Sequence, residues 1–175
     1  MEKEIRLSDV KDGEVFKIAG MEFIKFPEKD GEVPAVMKDI AFTSQFGDNN
    51  DLRSSVVLKR MEKEIFPEIA NAVGEENVCT IRTDLTTLCG MKDYGVMESR
   101  ISLPTLDFYR ENTNIFAKHP AAKWWWLATP ETVLPRDDPF WTICVSPAGS
   151  FNFGFHGSFG VRPFCIFKSS IFVSQ

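Results

Sequence analysis

Two histidines and four cysteines are the side chains of this 175-residue chain best suited to nucleophilic or metal chemistry. A thiol attacks only after a base has taken its proton, so the arrangement to look for is Cys144 or Cys165 with His156. The local sequence does not prepare it. Cys144 stands in Trp141-Thr142-Ile143-Cys144-Val145 and Cys165 in Pro163-Phe164-Cys165-Ile166-Phe167, apolar runs where a thiol behaves as a small hydrophobe. His119 precedes a proline in a loop, and His156 alternates with phenylalanines. Zinc held by four thiolates needs two tight pairs, and Cys79, Cys89, Cys144 and Cys165 form no C-x-x-C unit. A Cys79–Cys89 disulfide is allowed by spacing, with free thiols the default in a reducing compartment. Asp137 and Asp138, bracketed by Pro135 and Pro139, are the oxygen donors that Ca²⁺ prefers, but a solvated turn is the simpler reading. The expectation is therefore no catalysis, no metal and no cofactor.

Recognition chemistry is better represented. Twelve of the 22 aromatic residues lie in 124–175, against six charged residues whose signs cancel. The stretch 150–156 alternates Phe151, Phe153 and Phe155 with Ser150, Asn152, Gly154 and His156, and a strand would put the two sets on opposite faces. One reading makes the phenylalanines core and the polar set wet. The other makes part of the aromatic set a partner anchor, since aromatics are enriched at interface hot spots. Trp124, Trp125 and Trp126 fall on both faces of their strand, so one core is expected to be overfilled and some rings to reach the surface. The candidate binding residues are Trp141, Phe151, Asn152, Phe153, Phe155, His156 and Phe159. Arg162 is read as structural, its planar guanidinium bonded to backbone carbonyls or a carboxylate.

The elements that must position these residues are legible in outline. Residues 13–27 read as a hairpin broken at Ala19-Gly20, 27–34 as a turn, and 35–43 as a third strand. Asn50 and Asp51 are candidate caps for a helix over 52–66, whose apolar positions Val57, Leu58, Met61 and Ile65 keep helical spacing. Pro67 should end or kink it, with a further turn to Gly74. A short strand follows at 77–82, then an ordered loop over 83–96. A compact second helix starts at 102, with Ser102 as cap and Pro104 in its first turn. Beyond His119 the chain is β-rich. This is an α+β pattern over a single domain, 1–175, with two main helices and a C-terminal antiparallel sheet.

Charge bounds the partners. The net charge of −5 and pI near 5.1 point away from direct nucleic-acid binding, which needs a basic stripe. No apolar stretch nears the roughly 20 residues that span a bilayer, and the charged opening at 1–6 is unlike a secretory signal. The expected location is a cytoplasm or a particle assembled there, without membrane contact.

Several of these segments together resemble a family of unknown function common in Firmicutes and their phages. The matching parts are the polar loop and helix at 49–66, Met91-Lys92-Asp93-Tyr94-Gly95, the Tyr-Arg helix at 103–110, Trp125-Trp126-Leu127-Ala128-Thr129-Pro130, and Gly160-Val161-Arg162-Pro163. The family is similar to the C-type-lectin-like fold, in the branch shared with formylglycine-generating enzymes and retroelement-diversified variable proteins. The resemblance implies that 124–130 and 160–167 are framework and that 132–159 faces the ligand. It also makes the expected location a host cell's cytoplasm or a phage particle. Where tyrosine and polar residues are expected, this chain has Phe151, Phe153, Phe155 and Phe159, which points away from a sugar. The functional expectation is a non-enzymatic, phage- or prophage-encoded recognition protein that binds a protein partner through 132–159. The alternatives are an intracellular antagonist of host defence, such as an anti-CRISPR inhibitor of a nuclease, and, more remotely, a sulfatase-modifying-type enzyme.

Overall fold

The computed structural model describes residues 3–133, 141–154 and 157–175. The expected opening hairpin is present as β2 (Val15–Ile18) and β3 (Met21–Lys25), and β1 (Glu4–Arg6) precedes it. Ala19 and Gly20 both take positive φ, 52° and 76°, the two-residue turn whose twist matches that of antiparallel strands. The next strand differs from expectation. β4 (Glu32–Met37) begins before Pro34 and includes it, and β5 (Phe42–Ser44) belongs to another sheet. Pro34 has no N–H to offer, but its carbonyl accepts from Phe26 N–H at 3.0 Å.

The main helical segment is α1 (Val56–Arg60), a π-turn over Met61–Ile65, and α2 (Phe66–Val73). Ser55 caps α1, its hydroxyl accepting from Leu58 N–H, while Asp51 caps a preceding 3-10 turn. The helix does not stop at Pro67. The widened turn just before it relieves the clash between the proline ring and the preceding carbonyls, and the helix runs on to Gly74. The expected second main helix is smaller than anticipated: α3 (Leu106–Glu111) and α4 (Thr113–Phe116) are one and a half turns and a single turn. Its cap is Thr105, not Ser102, which is buried against Thr83 with hydroxyls 2.8 Å apart. Between these helical regions β6 (Ile81–Asp84) and β7 (Val96–Ser99) make a separate hairpin, the former starting later than the 77–82 expectation.

The remaining strands are β8 (Trp125–Pro130), β9 (Thr142–Val145), β10 (Phe151–Gly154), β11 (Phe159–Val161), β12 (Phe164–Lys168) and β13 (Phe172–Ser174). One sheet runs β1-β13-β2-β3-β4-β12, antiparallel throughout, so the two ends of the chain pair in it. The other runs β10-β9-β8-β11-β5 and is mixed, because β11 meets β8 in parallel at Gly160 and Trp125. The architecture is mixed α and β, mostly strand, with one main helix.

Apolar side chains gather into two cores, not one. Trp126 and Ala128 point into a core with Phe16, Phe23, Phe167 and Met61, while Trp125 and Leu127 point into another with Ile24, Phe26, Tyr109 and Phe116. β8 is buried along its whole length because each of its faces has its own core. This corrects the expectation of an overfilled single core. Trp125 is 1% and Trp126 0% exposed, and only Trp124 is half-buried.

Candidate functional site

β10 is the outer strand of the mixed sheet, and here the aromatic alternation meets solvent. Phe151 pairs with Val145 and Phe153 with Ile143, so both share the face of the Trp125 core. Phe151 is 47% exposed, and half-buried Phe153 stacks on Trp141 with ring centroids 5.8 Å apart. Asn152 and Gly154 take the other face. Ser146 N–H donates to Ser150 O, which sets the antiparallel phase and turns the backbone groups of Phe151 and Phe153 away from β9. Phe153 N–H is then satisfied by the Oδ1 of Asn152 at 2.8 Å, a local cap on an edge that could otherwise accept another strand.

The structure divides the predicted set. Trp141, Phe151 and Phe153 come together. Phe159 is on the opposite side of the sheet, half-buried and edge-on to Trp126 at 4.6 Å. Gly154 makes that contact possible, since a Cβ there would lie 2.5 Å from Phe159 Cε2 and 2.9 Å from Trp126 Cζ3. Phe155 and His156, and the Asp137-Asp138 pair, lie outside the described residues.

Asn50 has a different role from the cap expected of it. Fully buried, it donates from Nδ2 to Thr132 O at 2.8 Å and Trp141 O at 3.0 Å, and accepts at Oδ1 from Tyr94 O–H at 2.7 Å. Glu131 N–H also donates to Trp141 O. Asn50 thus ties both ends of the 132–141 span, and it fixes the backbone from which the Trp141 ring reaches Phe153.

A second feature was not legible in the sequence. A cleft of ≈ 280 Å³ opens between α3, α4 and the 146–149 turn, with Tyr109, His119, Trp125 and Arg162 among its lining residues. Tyr109 O–H donates to Gly149 O at 2.7 Å, and His119 Nε2 lies 2.8 Å from Gly13 O. Arg162 is 1% exposed, with its guanidinium 4.8 Å from the Trp125 ring centroid. Its Nε donates to Met37 O, and its Nη2 to Lys38 O and His119 O, in keeping with the structural role expected of it. Burial lowers its pKa to about 10, against the opposing pull of Asp39, and leaves it cationic at neutral pH.

Of the thiols, Cys144 and Cys165 are buried, Cys79 is half-buried and Cys89 is exposed. All four cysteines are free. Buried Cys144 donates to Asn152 O at 3.4 Å, and burial pushes its pKa up to about 11. Burial also raises Cys165, and it raises Cys79 with a further contribution from Glu32. Among the described residues no three His, Cys, Asp or Glu side chains cluster in a way that could hold a metal ion. Compared with protein families, curated proteins and solved structures, the chain matches none.

Proposed function

We propose that this chain is a non-enzymatic recognition domain of C-type-lectin-like architecture, phage- or prophage-encoded, that binds a protein partner through the aromatic surface of 132–159. The observation that carries this reading is the edge strand itself. Phe151 is exposed beside the stacked Trp141–Phe153 pair, in a stretch, 141–159, without a single Asp, Glu, Lys or Arg. Interface centres are depleted in charge and enriched in aromatic rings, because desolvating a ring costs little and buries a large area. The Asn152 cap on Phe153 N–H favours engagement by side chains over addition of a strand. Burial of Cys144 and Cys165 supports a non-enzymatic reading. The lectin-like reading draws support from the terminal strands sharing one sheet while β9 and β10, the described strands of the recognition stretch, belong to the other. A host cytoplasm or phage particle remains the proposed location, and no helix among the described residues is long and apolar enough to cross a membrane.

The test is capture of partners from bacterial lysate with the wild type and a Phe151→Ser/Phe153→Ser variant of matched circular dichroism. The variant should lose a partner that the wild type retains at high salt. A folded variant that keeps every partner would sink the proposal. Capture that weakens steeply with salt would favour the nuclease-antagonist reading, which rests on the net charge of −5.

A further inference from the structure

Arg162 is a buried cation that makes no direct ion pair among the described residues; Asp39 acts on it only from beyond ion-pair distance. Its Nε and Nη2 are used on three backbone carbonyls, and among the described residues Nη1 makes no hydrogen bond and no carboxylate comes within ion-pair distance. The side chain lines the ≈ 280 Å³ cleft, whose lining among the described residues contains no aspartate or glutamate. Burying a guanidinium costs several kcal/mol unless its donors and charge are matched, so a cleft opening on such a group selects an anion.

The surroundings narrow the class. Among the described residues no lysine or second arginine lines the cleft, and one guanidinium nitrogen offers a single anchoring point, which suits a monoanion better than a phosphate. Phe116, Trp125, Pro120, Ala121, Pro147 and Ala148 give the lining apolar surface, beside the polar groups of Tyr109, Thr113, His119 and Ser146. From this geometry we infer that the cleft binds a small monocarboxylate with an apolar body, its carboxylate on Arg162 Nη1 and its body against Trp125 and the 146–149 turn. Tyr109 steadies that turn through its bond to Gly149 O. This inference is independent of the protein-partner proposal, since it concerns a small molecule and a different set of side chains.

The experiment is calorimetric titration of the full chain with phenylacetate, phenylacetamide and inorganic phosphate. Phenylacetate should bind, and the amide and phosphate should bind roughly tenfold or more weakly, the loss expected for one charge-assisted hydrogen bond. Arg162→Gln should lose phenylacetate binding by a similar factor. Because Arg162 also ties three carbonyls and its replacement can cost folding, Ala117→Trp is the second variant. Ala117 is an exposed residue of the cleft wall, and an indole there fills the opening while leaving Arg162 untouched. Phenylacetate binding should fall roughly tenfold in it as well. The inference is overturned if phenylacetate does not bind, if the amide or phosphate binds as well as the acid, or if a folded Ala117→Trp binds phenylacetate like the wild type.

Discussion

β8 and β10 are both rich in aromatic residues, lie two strands apart in one sheet, and differ in almost every consequence of that content. β8 is central and has a core on each face, so Trp125 and Trp126 vanish from solvent in opposite directions. β10 is the edge, and each of its faces is covered only in part, so Phe151 is exposed and Phe153 half-buried. An aromatic side chain takes its role from how many neighbours its strand has, since each flanking layer removes one more face from water. In β8 the rings stabilise the fold; in β10 they leave apolar area that the fold does not use.

Substitutions can break or sharpen this contrast, beginning with the largest effect. Trp126→Ala removes a fully buried ring that meets Phe46 and Phe159 and whose Nε1 donates to Ser44 O at 2.9 Å. It should cost about 3–5 kcal/mol in urea unfolding, and a loss below about 1 kcal/mol would refute the central role assigned to β8. Asn50→Ala strands the Thr132 and Trp141 carbonyls and the Tyr94 hydroxyl, with an expected loss of about 3 kcal/mol and loosened packing of Trp141 visible in near-UV circular dichroism.

Alkaline pH probes the boundary between the strands, because Cys144 sits on β9 between them. Its folded pKa of about 11 exceeds the ordinary value of 9.0, so the folded state holds its proton longer than the unfolded state. That contribution is complete below about pH 9 and is lost as the pH rises through about 11, on the order of 2 kcal/mol. Arg162 acts in the opposite sense above about 10, its lowered pKa relieving a burial cost as it deprotonates. Melting temperatures followed across this range should fall less steeply in Cys144→Ala than in the wild type, and identical slopes would contradict the assignment.

Gly154→Ala tests the joint between edge and core. The added Cβ would displace Phe159 from Trp126, at an expected cost of about 1–3 kcal/mol and with altered tryptophan fluorescence. Phe151→Ser should change stability least, by within about 0.5 kcal/mol, because its ring is half in water. A loss as large as that of Trp126→Ala would erase the distinction between the two strands.

Much of the framework could be read from local pattern. The Ala19-Gly20 turn, the helical spacing from Val57 to Ile65, the stop at Gly74 and the alternation of Phe151 with Asn152 each depend on neighbours within a few residues. Misreadings arose where a distant partner overrode a local preference. Asn50 and Ser102 have the chemistry of caps, yet each is drawn inward, one to carbonyls more than 80 residues away and the other to Thr83. Pro34 has the chemistry of a turn, yet it pairs with Ile166 inside a sheet.

By itself, then, the sequence determined the opening hairpin, the main helical segment with its stop at Gly74, which residues alternate across a strand, and that the C-terminal third holds more aromatic area than charge. Period and propensity are local properties, and they survive without knowledge of the fold. Only the tertiary structure decided that two cores share the tryptophans, that β10 is an edge, that Phe159 parts company with Phe153, and that Arg162 lines a cleft beside Tyr109 and His119. Those outcomes depend on strand order and on contacts across scores of residues, as in the bond from Arg162 to Met37 O, which spans 125 positions of chain.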